Sequence, residues 1–191
     1  MVDDSAPNGG DPPGDQPIFF FDLGSPYAWL VAEGLGNAMP SAIWQPVCQQ
    51  DLAPGPLWDG DRGRVVALAA QAGLLAPRWS RDDQPDTREA MLAATWCKSI
   101  GRAASFALAA FRQAYNGGRN LADRDTLLIA AAACELHPRA VLQALALEST
   151  HTQLDTAAAL ARLHDVTELP AVKRENELLN IGQLLELVAQ L

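Results

Sequence analysis

Ser25-Pro26-Tyr27-Ala28 follows the apolar run Ile18-Phe19-Phe20-Phe21 and the tripeptide Asp22-Leu23-Gly24, and it precedes the apolar-periodic Trp29-Leu30-Val31-Ala32. A strand that closes on Asp22-Leu23-Gly24 and opens into a helix sets residues 25 to 28 at a helix N-terminus. Unpaired backbone N–H groups and the helix dipole favour an anion there. A thiolate is the natural guest. Cysteines at both 25 and 28 would let the chain make and break its own disulfide. Ser25 can only hydrogen-bond and Ala28 can do no chemistry, so a reactive sulfur has to arrive with a ligand.

A hydrogen bond to a charged group contributes about 1.5–3 kcal/mol, and a helix N-terminus about 0.3–2 kcal/mol. Together they would lower a thiol pKa by roughly 1 to 3 pH units from about 8.5. A thiol bound beside Ser25 would then be largely ionised near neutrality and nucleophilic without a general base. Ser25 before Pro26 is also a good ordinary N-cap, with proline at the first helical position. The two roles are compatible.

The elements that must position this serine follow from periodicity. Ile18 to Phe21 is a short apolar strand suited to burial on both faces, Pro26 to about Asn37 a helix, and Ala42 to Val47 a second strand with Pro46 near its end. Gln50 to Trp58 is broken by Pro54, Gly55 and Pro56, and alanine and leucine at helical spacing dominate from about Arg62 to Leu147. Within that stretch Phe106, Ala107, Ala110, Phe111, Ala114 and Tyr115 share one stripe, opposite Arg102, Ser105, Arg112 and Gln113, with Asn116-Gly117-Gly118 as the stop. Asp123 caps a helix over 126–134 and Pro138 opens the next. A helix over Thr156 to His164, a strand over Val166 to Val172 entered through Pro170, a turn over Lys173 to Glu177 and a helix over Ile181 to Leu191 complete the chain. The plan is βαβ, a helical insert, α, then ββα. It predicts an acidic tail over 1–17, one unit from 18–55 with 151–191, and an all-α insert over 56–150.

The 191 residues can bury roughly 70% of the extended-chain surface. Hydrophobic content of 49% against 19% charged residues is globular composition, and no apolar run reaches bilayer length. Asp3, Asp4, Asp11 and Asp15 in the tail carry four of the net nine negative charges, which argues against a nucleic-acid or anionic-membrane partner. The tail has no base and no apolar core of a signal peptide. Cys48, Cys97 and Cys134 are odd in number and widely separated, as suits buried thiols in a reducing cytoplasm. His137, His151 and His164 have no metal-ligand spacing, so no metal is expected.

Phe21-Asp22-Leu23-Gly24-Ser25-Pro26-Tyr27-Ala28-Trp29-Leu30 resembles the opening of the DsbA-like superfamily, in particular its branch of 2-hydroxychromene-2-carboxylate isomerases and kappa-class glutathione transferases. Trp44-Gln45-Pro46-Val47, Pro85-Asp86-Thr87 with Ala90-Met91, and Phe111-Arg112-Gln113-Ala114-Tyr115 with Gly118-Arg119 resemble further segments of that branch in the same order. The resemblance implies an α/β, thioredoxin-like fold with an inserted helical domain. It implies a cis bond before Pro170, Leu169 main-chain atoms pairing with a bound thiol peptide, and Ser25 holding its sulfur. Glutathione or another low-molecular-weight thiol would be the cofactor, and a homodimer is the assembly often found among such proteins.

The departures concern the ligand. Where glutathione-binding relatives place an acidic residue for the γ-glutamyl ammonium, this chain has Leu184 and Leu185, so glutathione binds differently, binds weakly or is not the ligand. Asp86 stands where relatives tend to have an amide. The expected function is a cytoplasmic thiol-dependent isomerase or transferase on a small conjugated or aromatic substrate, with Tyr27 the candidate substrate contact. Trp29, Trp58, Trp79 and Trp96 are possible pocket walls or ordinary core, and Arg62, Arg64, Arg78 and Arg81 could meet an anionic substrate or form a solvated face. The alternative is a DsbA-like binding or scaffold module without catalysis. The absent cysteine pair disfavours a disulfide oxidoreductase.

Overall fold

Phe19 and Phe21 project to one side of the first strand and Phe20 to the other, and all three are fully buried. In the computed structural model, which describes residues 16–82 and 85–189, that strand, β1 (Ile18–Phe21), lies inside a four-stranded sheet. It pairs in parallel with β2 (Ile43–Pro46), Ile18 opposite Ile43 and Phe21 opposite Pro46. On its other side it runs antiparallel to β3 (Ala171–Arg174), Phe20 opposite Ala171, and β3 pairs antiparallel with β4 (Glu177–Leu179). The order β2-β1-β3-β4, with helices on both faces, is a thioredoxin-like α/β arrangement. The expected tail falls almost wholly outside the described residues.

Helix α1 (Pro26–Ala38) carries Trp29, Leu30, Val31 and Leu35 onto the Phe19/Phe21 face, together with Leu184 and Leu185 of α9 (Ile181–Ala189). The opposite face holds Phe20, Val47 and Leu52 against Ala157, Ala158 and Ala161 of α8 (Glu148–Leu163). Burial of a large apolar side chain contributes about 1.5–3 kcal/mol, so these two clusters are what fix the register of the sheet.

Between β2 and α8 the chain is helical: α2 (Gln49–Leu52), α3 (Arg62–Gln71), α4 (Arg88–Ser99), α5 (Ala103–Phe111), a π-turn (Arg112–Asn116), α6 (Arg124–Ala132) and α7 (Pro138–Ala144). The predicted stripe of α5 and its π-turn is buried from Phe106 to Tyr115 and joins the same cluster as Phe19 and Phe21. Arg88 ties α4 to Asp51 of α2 at 2.6 Å and also contacts Asp155 of α8. Arg112 binds Glu33 of α1 with both Nε and Nη2, at 3.0 and 2.7 Å.

Three expectations change. The strand expected over Val166 to Val172 begins only at Ala171, because residues 166–170 make no ladder pair and pairing with β1 starts with Ala171 opposite Phe20. Lys173 and Arg174 belong to β3 and Glu177 to β4, so the turn is reduced to Glu175 and Asn176, with Glu175 at a φ of 51°. The helix expected from Thr156 starts at Glu148, since Thr150 and Leu154, six and two residues earlier, are already buried on its inner face. Asp123 occupies the N-cap position of α6 and His137 that of α7, where its Nδ1 accepts from Arg139 N–H at 3.1 Å. Among the described residues no helix is long and apolar enough to cross a membrane.

Candidate functional site

The turn from β1 into α1 is held from three directions. Ser25 N–H donates to Asp22 C=O at 3.1 Å, and Ser25 sits at the N-cap in extended backbone, its Oγ accepting from Ala28 N–H at 3.3 Å. The Asp22 carboxylate accepts from Gly24 N–H at 2.8 Å, Gln49 N–H at 2.9 Å and Thr87 Oγ at 3.2 Å, so it pins the turn to the starts of α2 and α4. The Tyr115 hydroxyl donates to Gly24 C=O at 2.8 Å from the π-turn. Full burial pushes the Asp22 pKa up, with these hydrogen bonds opposing it, and burial with the nearby Asp22 charge pushes the Tyr115 phenol well above its usual range.

The Leu169–Pro170 peptide bond is cis, and both residues are buried. Leu169 faces a groove of about 490 Å³ whose walls include Tyr27, Gln49, Thr167, Glu168 and Ile181. Residues 53–59 close its other side. The Tyr27 hydroxyl donates to both oxygens of Asp59 at 2.9 Å. Burial and the Asp59 carboxylate raise the Tyr27 pKa to about 12. The Arg64 guanidinium stands 5.4 Å over the Tyr27 ring and 3.6 Å from Asp59. Tyr27 and Leu169 thus share one groove. Ser25, only 1% exposed, is not among its lining residues.

A second, smaller cavity of about 30 Å³ abuts Gly24 on the other side of the 53–59 segment. Trp58, Trp79, Tyr115, Arg78 and Arg119 line it. Trp58 and Trp79 stack at 5.3 Å and 7°, Trp79 meets Tyr115 edge-on at 6.3 Å, and the Arg62 guanidinium lies 5.1 Å over Trp79. Arg78 and Arg119 are exposed and make no ion pair among the described residues. Of the five candidate walls, Tyr27 and Trp58 line the groove, and Trp58 and Trp79 the cavity. Trp29 lies deeper, stacked on Tyr115 at 5.3 Å with its Nε1–H donating to Glu33, and Trp96 reaches neither space.

The chain's own thiols are poor nucleophiles. Cys48, Cys97 and Cys134 are free and buried; burial and the Asp22 charge push Cys48 far up, and Cys97 is raised to about 12 by burial. Leu184 and Leu185 pack into the core against α1, so neither presents any group to a ligand. Asp86 Oδ1 accepts from Arg88 N–H at 2.9 Å, a local turn at the start of α4. Among the described residues no three His, Cys, Asp or Glu side chains are grouped to hold a metal.

Sequence reasoning missed Asp22, Tyr115 and Leu57 as parts of the site. An aspartate straight after a wholly apolar strand was the signal for the first. Nothing local marks the other two.

No protein-family model matches the chain, and no curated protein sequence matches it. Solved structures do. A 2-hydroxychromene-2-carboxylate isomerase superposes with a TM-score of 0.75 at 14% identity over 91% of this chain and 93% of its own. A probable DsbA oxidoreductase from Streptomyces coelicolor gives 0.73 at 16% identity over 92% and 87%. The cytosolic disulfide reductase DsbM from Pseudomonas aeruginosa, solved with GSH, gives 0.68 at 17% identity over 92% and 96%. At these identities the likeness establishes the fold alone: the chain has an α/β thioredoxin-like fold with helical elements.

Proposed function

We propose that this chain is a cytoplasmic thiol-dependent isomerase or transferase acting on a small conjugated or aromatic anion. The observation that carries this is the pairing of two spaces that share Trp58: a groove between Tyr27 and Leu169, and an aromatic cavity lined by Gly24 together with Arg78 and Arg119. Ser25 is the next residue after Gly24. A bound thiolate supplies reversible addition to a conjugated double bond, which frees that bond to rotate before elimination restores it.

The roles of the chain's residues follow from their chemistry. Ser25 Oγ–H donates to the sulfur and keeps it anionic, aided by the helix dipole at the start of α1. The Leu169 main chain offers a partner to the thiol's backbone-like amide. The indoles of Trp58 and Trp79 take the conjugated face of the substrate, and Arg78 and Arg119 take its carboxylate. Support comes from the name of one structural neighbour, which acts on a carboxylate, and from another solved with GSH.

Thermal unfolding in the presence of glutathione and other cellular thiols tests this. A thiol at one hundred times its Kd adds about 2.7 kcal/mol of stability. A shift in the wild type that disappears in Ser25→Ala is the expected result. No shift with any thiol favours the second reading, a non-catalytic binding module, for which the burial of Ser25 speaks.

A further inference from the structure

Leu57 and Trp58 form the wall between the two spaces. Trp58 lines both the groove and the aromatic cavity, and Leu57 lines the groove and a small cleft at Asp22, Cys48 and Thr87. Leu57 also lies directly over the turn: a Cβ added to Gly24 would stand 2.5 Å from Leu57 Cδ1 and 2.8 Å from Thr87 Cγ2. Any residue but glycine at 24 would force the Leu57 and Thr87 side chains to shift. Ser25, the neighbour of Gly24, is itself only 1% exposed.

The segment that carries these two side chains is otherwise mostly exposed. Pro54, Gly55, Pro56, Asp59 and Gly60 are exposed, while Leu57 and Trp58 are each 7% exposed. Gly55 at a φ of 147° and Gly60 at 77° stand at either side of the buried pair, in conformations that glycine adopts without strain. Asp59, next to Trp58, is fastened by Tyr27 Oη–H and faced by Arg64.

The sizes of the spaces demand movement. An apolar cavity that holds a benzene ring measures about 150 Å³, against about 30 Å³ beside Gly24. The closed arrangement therefore admits neither an aromatic substrate to the cavity nor a sulfur to Ser25.

We infer that residues 53–60 are a strap latched by Asp59 onto Tyr27 and Arg64, and that releasing it lifts Leu57 and Trp58, uncovers Ser25 and joins the groove and cavity into one site. This regulation of access rests on the site proposed above. Its geometry does not depend on which thiol or substrate enters. Asp59 and Leu57 act as positioning residues, through the strap.

The test places a reporter under the strap. In S25C, alkylation of residue 25 by iodoacetamide is followed by peptide mass spectrometry, with the fully buried Cys97 as the control for global opening. Labelling in S25C alone is expected to be at least 100-fold slower than in the same protein unfolded in urea. Adding Asp59→Asn or Leu57→Ala is expected to speed it about 10-fold, with Cys97 unchanged. Labelling of S25C at the unfolded rate, or no acceleration in either double variant, overturns the strap.

Should S25C fail to fold, acrylamide quenching of tryptophan fluorescence in Asp59→Asn with Ser25 intact decides instead. Increased quenching supports release of Trp58 and unchanged quenching overturns it. Acceleration of labelling without any thiol-induced thermal shift would keep the strap and remove the thiol-dependent function. A thermal shift with no acceleration would do the reverse.

Discussion

Tyr115 Oη donates to the Gly24 carbonyl at 2.8 Å, joining positions 91 residues apart in the chain. With Asp22 accepting from Gly24 N–H at 2.8 Å, both polar backbone groups of Gly24 are satisfied, and the residue before Ser25 is held on both sides. The start of α1 is therefore set by the helices beyond the sheet as well as by β1.

Tyr115→Phe keeps the ring stacked on Trp29 and leaves the buried Gly24 carbonyl without its donor. A lost buried hydrogen bond of this kind costs about 1–3 kcal/mol. Urea unfolding should show a lower midpoint with the slope unchanged. An unaltered midpoint would mean that the bond contributes nothing net.

Asp22 makes stability depend on pH in a defined direction. Its folded-state pKa lies above the ordinary 3.8, raised chiefly by burial, so the folded state holds the proton more tightly than the unfolded chain. The favourable contribution is complete below 3.8 and is lost as pH rises through the folded value. The stability difference between wild type and Asp22→Asn, measured by urea unfolding across pH, should shift against the wild type over that interval and be flat above it. A difference that moves the other way would contradict the direction.

Ser25→Ala removes an N-cap as well as a candidate thiol donor. Loss of a serine cap costs about 0.5–2 kcal/mol. Ser25→Asp keeps the cap and places a fixed negative charge where the sulfur would lie. Thermal unfolding should place both variants below the wild type, the aspartate one because its carboxylate is buried close to Asp22, while neither responds to a thiol.

Arg78→Ala and Arg119→Ala should each weaken binding of a small aromatic carboxylate about 10-fold, measured by tryptophan fluorescence, and leave binding of the matching neutral amide unchanged. The effect should shrink at high salt, because both guanidiniums are exposed. Equal weakening for acid and amide would assign these residues a purely structural part.

Leu184→Asp tests whether an acid on α9 can serve a glutathione ammonium, since Leu184 is fully buried against α1. An unpaired carboxylate there should cost on the order of 3–5 kcal/mol. The variant should lose much of its stability, seen in the urea midpoint, and gain no glutathione affinity. Normal stability with new affinity would show that α9 turns to face the groove.

The local chemistry of this chain is written in its sequence. The apolar run Ile18 to Phe21, the Ser25-Pro26 helix start, the interruption at Pro54-Gly55-Pro56 and the stripe from Phe106 to Tyr115 each follow from backbone propensity and side-chain period, which act over a few residues. The cap of Ser25 on Ala28 N–H is such a feature. What covers Ser25 is not. The seating of Leu57 on Gly24, the reach of Tyr115 across 91 positions, and the burial of Leu184 and Leu185 depend on which surfaces meet once the helices close over the sheet. Those contacts are chosen by packing of the whole core, so the sequence by itself determined a helix start able to stabilise an anion, and only the tertiary structure decided that it lies under a strap.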